Sequence, residues 1–147
     1  MYKKGDLKGS DLTKSSVGMG AMRTTYSILL SRLASEGYFV AAIEHKDGSA
    51  AASLNVDGSW MYERKLLPDE DEYFVRNNQV LQRVEECEKA YSLLKNFCHE
   101  NDWKLFKPTE EFCQSFTKSS LDLENGCIIS GHSFGSATSV MAMHTSK

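Results

Sequence analysis

Residues 127–138, which read CIISGHSFGSAT, constrain this chain more than any other stretch. An apolar run reaches Gly131, Ser133 follows, and Gly135 completes a G-x-S-x-G. Small and apolar residues then continue through Ala137, Val140, Met141 and Ala142. The pattern predicts a buried strand, a sharp turn and the start of a helix, the context in which G-x-S-x-G forms a nucleophile elbow. Glycines flank such a turn because the serine sits in a strained backbone conformation with neighbours pressed close on both sides. That strain lifts the hydroxyl clear of the sheet. The helix N-terminus behind it turns free N–H groups and the positive end of the dipole toward any developing oxyanion. The pentapeptide alone is a weak signal, since an ordinary Gly/Ser turn is spelled with the same letters. Here the flanks decide for the elbow.

The bulk of the chain fits one soluble domain or a piece of one: 147 residues, 41% hydrophobic and 25% charged. A net charge of -3 leaves no basic footprint, so nucleic acid is not an expected partner. No apolar run approaches the roughly 20 residues that span a bilayer. Lys3 and Lys4 near the start have no apolar region behind them, so no secretory signal is read and a cytoplasmic location is favoured. Cys87, Cys98, Cys113 and Cys127 form no C-x-x-C, and nothing answers the half-site that Cys98 and His99 suggest. Neither metal nor cofactor is expected; Cys87 and Cys127 read as small core hydrophobes.

Taken in order, residues 1–16 are polar and without periodicity and are predicted irregular. The domain proper is placed at residues 17–147. A glycine-spaced loop follows at Val17, Gly18, Met19, Gly20 and Ala21. Tyr26, Leu29, Leu30, Leu33 and Ala34 then share one helical face, in a helix predicted from about Met22 to a left-handed cap at Gly37. Residues 38–43 are apolar on both faces, as in a strand of a parallel sheet covered by helices. Glu44, His45, Lys46 and Asp47 stand at its C-terminal end, the edge where such sheets place their sites.

From Gly48 to Asp71 the chain is predicted to make a long excursion, of a length that more often serves as a lid or site than as filler. Val80, Val84, Cys87, Tyr91, Leu94 and Cys98 then mark one stripe of a long helix from Asp71 to about Cys98, with Arg83, Glu85, Glu86, Glu88 and Lys89 assigned to the other face. Phe112 and Phe116 suggest a further short helix. The sum is α/β with parallel pairing. Only two strands are legible, too few for a parallel sheet to cover itself.

Several separated blocks resemble the platelet-activating-factor acetylhydrolases, α/β-hydrolase esterases also classed as group VII phospholipases A2. GMGAMRTTYS at 18–27 looks like that family's glycine loop and first helix. EGYFVAAIEHKD at 36–47, with Ser49 and Ala50, resembles its next helix end and strand. Arg76, Asn77, Gln79, Val80, Arg83, Glu86 and Cys87 match its long helix, and Gly131, His132, Ser133, Phe134 and Gly135 its elbow. The likeness runs from about Gly18 to Thr138. It implies a partial α/β-hydrolase fold, a parallel sheet with flanking helices, incomplete at both ends. It also implies a calcium-independent serine esterase that removes short or oxidised sn-2 acyl groups from phospholipids. Ser133 is then the nucleophile, and the backbone N–H groups of Phe134 and Met19 form the oxyanion hole. The implied partner is a phospholipid substrate, met in peripheral contact with a membrane or lipoprotein surface.

The chain departs from that pattern in identifiable places. Val17 stands where the family usually has histidine, and Ser136 where it usually has glycine. The polar residues at 10–16 occupy the place of a buried strand, so a gap is expected between the strand at 38–43 and the elbow strand. Acid and histidine follow the serine in this fold, yet downstream of Ser133 the only histidine is His144 and no Asp or Glu occurs. His45 reads as a structural residue, His132 belongs to the elbow, and His99 has no route to the site. An inactive fragment lacking the triad Asp and His is therefore expected. The alternatives are a non-catalytic product or interaction module and, further off, another α/β-hydrolase such as a neutral lipase.

Overall fold

The two apolar strands legible in the sequence do pair, but with a third between them and not with each other. The computed structural model describes residues 10–100 and 121–145. In chain order these form β1 (Ser10–Ser16), α1 (Ser27–Ser35), β2 (Phe39–Ala42), β3 (Ala52–Leu54), β4 (Trp60–Tyr62), α2 (Glu72–Glu100), β5 (Leu121–Gly131) and α3 (Phe134–Thr145). The main sheet is parallel in the order β2-β1-β5. The expectation of an irregular segment at 1–16 is thus corrected for Ser10–Ser16, which fills the gap as the central strand. Residues 1–9 lie outside the described residues, as does the short helix read at Phe112 and Phe116.

The physical reason is that ladder hydrogen bonds come from the main chain and are blind to side-chain polarity. A strand with a neighbour on each side satisfies its N–H and C=O groups whatever it carries, and β1 does so from Leu12↔Phe39 on one side and Leu12↔Cys127 on the other. Its polar side chains are accommodated one at a time. The Lys14 ammonium stands 4.3 Å from the centroid of the Tyr91 ring, a cation–π contact that offsets part of its desolvation. Ser16 is hydrogen-bonded to His45.

α1 begins later than predicted, after a pair of turns in which Thr25 N–H meets the Met22 carbonyl and Ser27 N–H the Thr24 carbonyl. It stops as expected at Gly37, which has φ +100°. Tyr38 N–H returns to the Leu33 carbonyl and Gly37 N–H to that of Ala34, a Schellman cap. Leu30 is buried against β2, but Leu29, expected on the same face, is 57% exposed.

The excursion at 48–71 contains a small antiparallel hairpin, β3 with β4, closed by Gly58 at φ +85°. Beyond it Asp71 caps α2 by accepting the N–H groups of Tyr73 and Phe74. The α2 stripe of Val80, Val84, Cys87 and Leu94 is buried as predicted. Burial pushes the Cys87 thiol up to about 11, as befits a core residue. Arg83 does not take the solvent face: it is fully buried, beside the stripe and among polar partners. α3 packs against α2, β1 and β5, and α1 against β2.

Candidate active site

Where β5 ends and α3 begins, the backbone makes the corner that the glycine spacing predicts. Ser133 has φ +55°, the only non-glycine with positive φ among the described residues. A side chain rarely adopts that region without a cost of about 1–3 kcal/mol, so the surroundings must hold it there. They do. A Cβ on Gly131 would lie 2.1 Å from the Gly135 carbonyl oxygen, and one on Gly135 would lie 2.2 Å from the carbonyl oxygen of Ser16. Both glycines are therefore obligatory: the first lets the corner close on itself, the second lets α3 press on the end of β1. Gly135 N–H reaches the His132 carbonyl and Ser136 N–H the Ser133 carbonyl, both at 2.9 Å. Ser136 and Ser139 hydroxyls donate to the carbonyls of Gly131 and Gly135.

The serine so held is exposed at the C-terminal edge of the sheet. Directly against it lies the glycine loop that follows β1. A Cβ at Gly18 would stand 3.3 Å from the Ser133 Cβ and 3.4 Å from the His132 carbonyl. The structure thus brings together the two segments carrying Met19 and Phe134. Neither N–H of these residues is engaged by another backbone group among the described residues. Free N–H groups at a helix start and in an adjoining loop are the arrangement that stabilises an acyl-transfer oxyanion.

The described histidines do other work. His132 Nδ1 shares a 2.7 Å hydrogen bond with the Tyr26 hydroxyl. His144 is exposed near the end of α3. His45 is completely buried, with Nε2 2.8 Å from the Ser16 hydroxyl and Nδ1 2.7 Å from Glu86 Oε2. Burial pushes the Glu86 carboxyl up, but hydrogen bonds from His45, Gln82 and the Lys46 N–H outweigh it and hold it below the ordinary glutamate value. No described residue hydrogen-bonds the Ser133 hydroxyl.

Two buried polar assemblies behind the site were missed from sequence. One is Ser16–His45–Glu86. In the other, Arg83 Nε donates to Asp47 Oδ2 at 2.7 Å, Nη1 to the Val17 carbonyl at 2.6 Å, and Nη2 to the Ser49 hydroxyl. Their signal was available. Gln79, Arg83 and Glu86 follow at i, i+4 and i+7, a second stripe beside the apolar one.

A family model described as "Platelet-activating factor acetylhydrolase, isoform II" matches residues 12–147. The chain is 40% identical over 135 residues to a "Platelet-activating factor acetylhydrolase" of Canis lupus familiaris, covering 86% of this chain and 30% of the dog protein. It is 39% identical to that of Bos taurus, again covering 86% of this chain and 30% of the relative. For Gallus gallus the identity is 36%, with 86% of this chain and 33% of the relative covered. The chain thus spans about a third of the length of the curated relatives it matches.

Proposed function

The chain belongs to the platelet-activating factor acetylhydrolase family, and from that premise we propose that it carries the nucleophile of a serine esterase acting on short or oxidised sn-2 acyl groups of phospholipids. The observation that carries this reading is Ser133: exposed, at φ +55°, and in contact with the loop bearing a second unspent N–H. In the proposed reaction Ser133 Oγ attacks the ester carbonyl carbon. The carbonyl oxygen becomes an oxyanion held by the N–H groups of Phe134 and Met19. Collapse expels the lysophospholipid alkoxide, which takes up a proton. Water then hydrolyses the acyl-serine to release the short carboxylate. One oxyanion donor is typically worth about 3 kcal/mol of transition-state stabilisation. Because such substrates reside in membranes and lipoproteins, peripheral contact with those surfaces is part of the same proposal.

Among the described residues no histidine is hydrogen-bonded to the Ser133 hydroxyl to remove its proton. His45 is committed to Ser16 and Glu86. His144 is exposed on α3, with no hydrogen bond to Ser133. Loss of triad members lowers turnover by about 10⁴- to 10⁶-fold. The 147 residues alone are accordingly proposed to acylate slowly and to turn over hardly at all.

The test is labelling with a fluorophosphonate probe, read by intact mass and peptide mapping. Slow labelling confined to Ser133 and abolished in Ser133→Ala supports an esterase nucleophile. Labelling that survives Ser133→Ala sinks it. A folded chain with no Ser133 labelling at any probe concentration favours the non-catalytic reading. A chain carrying a C-terminal half with the acid and histidine is expected to turn over short sn-2 acyl phospholipid briskly. Activity confined to long-chain triglyceride would redirect the assignment to a neutral lipase.

A further inference from the structure

We propose that Arg83 is a positioning residue for the oxyanion hole: its guanidinium anchors the Val17–Gly18 peptide, next to the one that carries the Met19 N–H, while packing on the residue that carries the other donor. This rests on the esterase reading above and deepens it.

The loop at 17–21 makes one hydrogen bond of its own, a turn from Ala21 N–H to the Gly18 carbonyl at 3.2 Å around Met19 and Gly20. What fixes that turn against the elbow comes from outside it. On one side of Met19, the Val17 carbonyl accepts Arg83 Nη1 at 2.6 Å. On the other, Gly20 N–H donates to the Ser49 carbonyl at 2.7 Å. Both anchors lead to one group. Ser49 hands its hydroxyl proton to Asp47, receives Arg83 Nη2 on the same oxygen, and has its own N–H 3.2 Å from Asp47 Oδ1. Asp47 in turn takes Arg83 Nε at 2.7 Å, and its carbonyl accepts the Gln79 side chain. The guanidinium carbon lies 4.6 Å from the centroid of the Phe134 ring, the residue directly after the nucleophile.

One side chain therefore touches the loop after β1, the loop after β2 and the first residue of α3, and reaches no reacting atom. Arg83 and Asp47 are both fully buried. An ion pair so placed is weak evidence of stabilisation, because desolvation of both charges offsets their attraction. What it supplies is geometry. A guanidinium presents its donors in a rigid planar fork, so three acceptors on two loops are held at fixed mutual angles. A lysine there keeps the charge and loses the fork.

The experiment compares the 147-residue chain with Arg83→Lys, Ser49→Ala and Ser133→Ala. The readouts are fluorophosphonate labelling resolved into kinact and KI, amide hydrogen exchange, and near-UV circular dichroism to check folding. Arg83→Lys is expected to stay folded and to lose about 10- to 100-fold in kinact, the scale of a 1 Å misplacement, with KI little changed. Faster exchange is expected at the peptide covering 16–21, and unchanged exchange in α2 away from the substitution. Ser49→Ala retains the ion pair and should show a smaller loss of the same kind, which serves if Arg83→Lys does not fold.

Wild-type kinact in folded Arg83→Lys, or unaltered exchange at 16–21, overturns the proposal. A loss that appears equally in kinact, KI and exchange throughout the chain also overturns it, since that is general destabilisation. Labelling insensitive to Ser133→Ala removes the esterase reading instead, and the exchange data then decide by themselves whether Arg83 anchors the Val17–Gly18 peptide.

Discussion

Ser16 and Ser133 lie at the C-terminal ends of neighbouring strands, with Ser16 paired across the ladder to Gly131, yet their situations are opposite. Ser16 has every partner that a catalytic serine is said to need: a histidine nitrogen 2.8 Å away and a carboxylate 2.7 Å beyond it on the other ring nitrogen. It is 2% exposed, and its own carbonyl is covered by Gly135. Ser133 has no such partner among the described residues, but it has access, a left-handed backbone and the glycine loop at Gly18 pressed against it. The difference teaches that a serine–histidine–carboxylate chain is first of all a way to satisfy buried polar groups. It becomes chemistry only where a substrate carbonyl can reach the oxygen and find donors for its developing charge.

The largest effect that can break this contrast is all-or-none. Ser133→Ala should remove every trace of fluorophosphonate labelling, and Ser16→Ala should leave labelling at Ser133 in place; a labelled Ser16 peptide would reverse the assignment. Gly135→Ala attacks the corner that separates the two serines, since its Cβ meets the Ser16 carbonyl at 2.2 Å. Overpacking against backbone should cost about 3 kcal/mol or more, measured as a shift in the urea midpoint; a loss under about 1 kcal/mol would mean the corner gives way easily.

His45→Phe leaves the Ser16 hydroxyl and Glu86 carboxylate buried without their histidine. That should destabilise by about 2–3 kcal/mol, with labelling of the remaining folded protein unchanged if the Ser16 assembly is structural. The smallest effect is in acid. Glu86 has its folded-state pKa lowered, so its contribution to stability is full above the ordinary glutamate value of about 4.3 and is lost as pH falls through the lower folded value. The stability difference between wild type and Glu86→Gln should therefore be constant at neutral pH and shrink below about pH 4. A difference that grows toward acid would show that Glu86 is not held by its hydrogen bonds.

Legibility followed the range of the interactions involved. The left-handed stop at Gly37 and the apolar stripe of α2 were readable because each depends on residues a few positions apart. The elbow was readable for the same reason: a Cβ at Gly131 would run into Gly135, four residues on. Arg83 was misassigned to solvent because its partners are Asp47, Ser49 and the Val17 carbonyl, 36, 34 and 66 residues away. Composition places an arginine outside by default, and only the fold reveals that a polar niche awaits it. The central strand was missed because Ser10–Ser16 carries no apolar alternation, the signal by which strands are recognised.

By itself, then, the order of residues determined the family and the corner at Ser133, since steric crowding between near neighbours leaves the backbone few choices. Tertiary structure alone decided that a polar segment lies at the centre of the sheet, that Arg83 and Asp47 are buried together, and that Ser16 rather than Ser133 receives His45. Main-chain ladders accept any side chain, and a buried charge is tolerable only where distant segments meet to satisfy it. Neither condition is written in a local pattern.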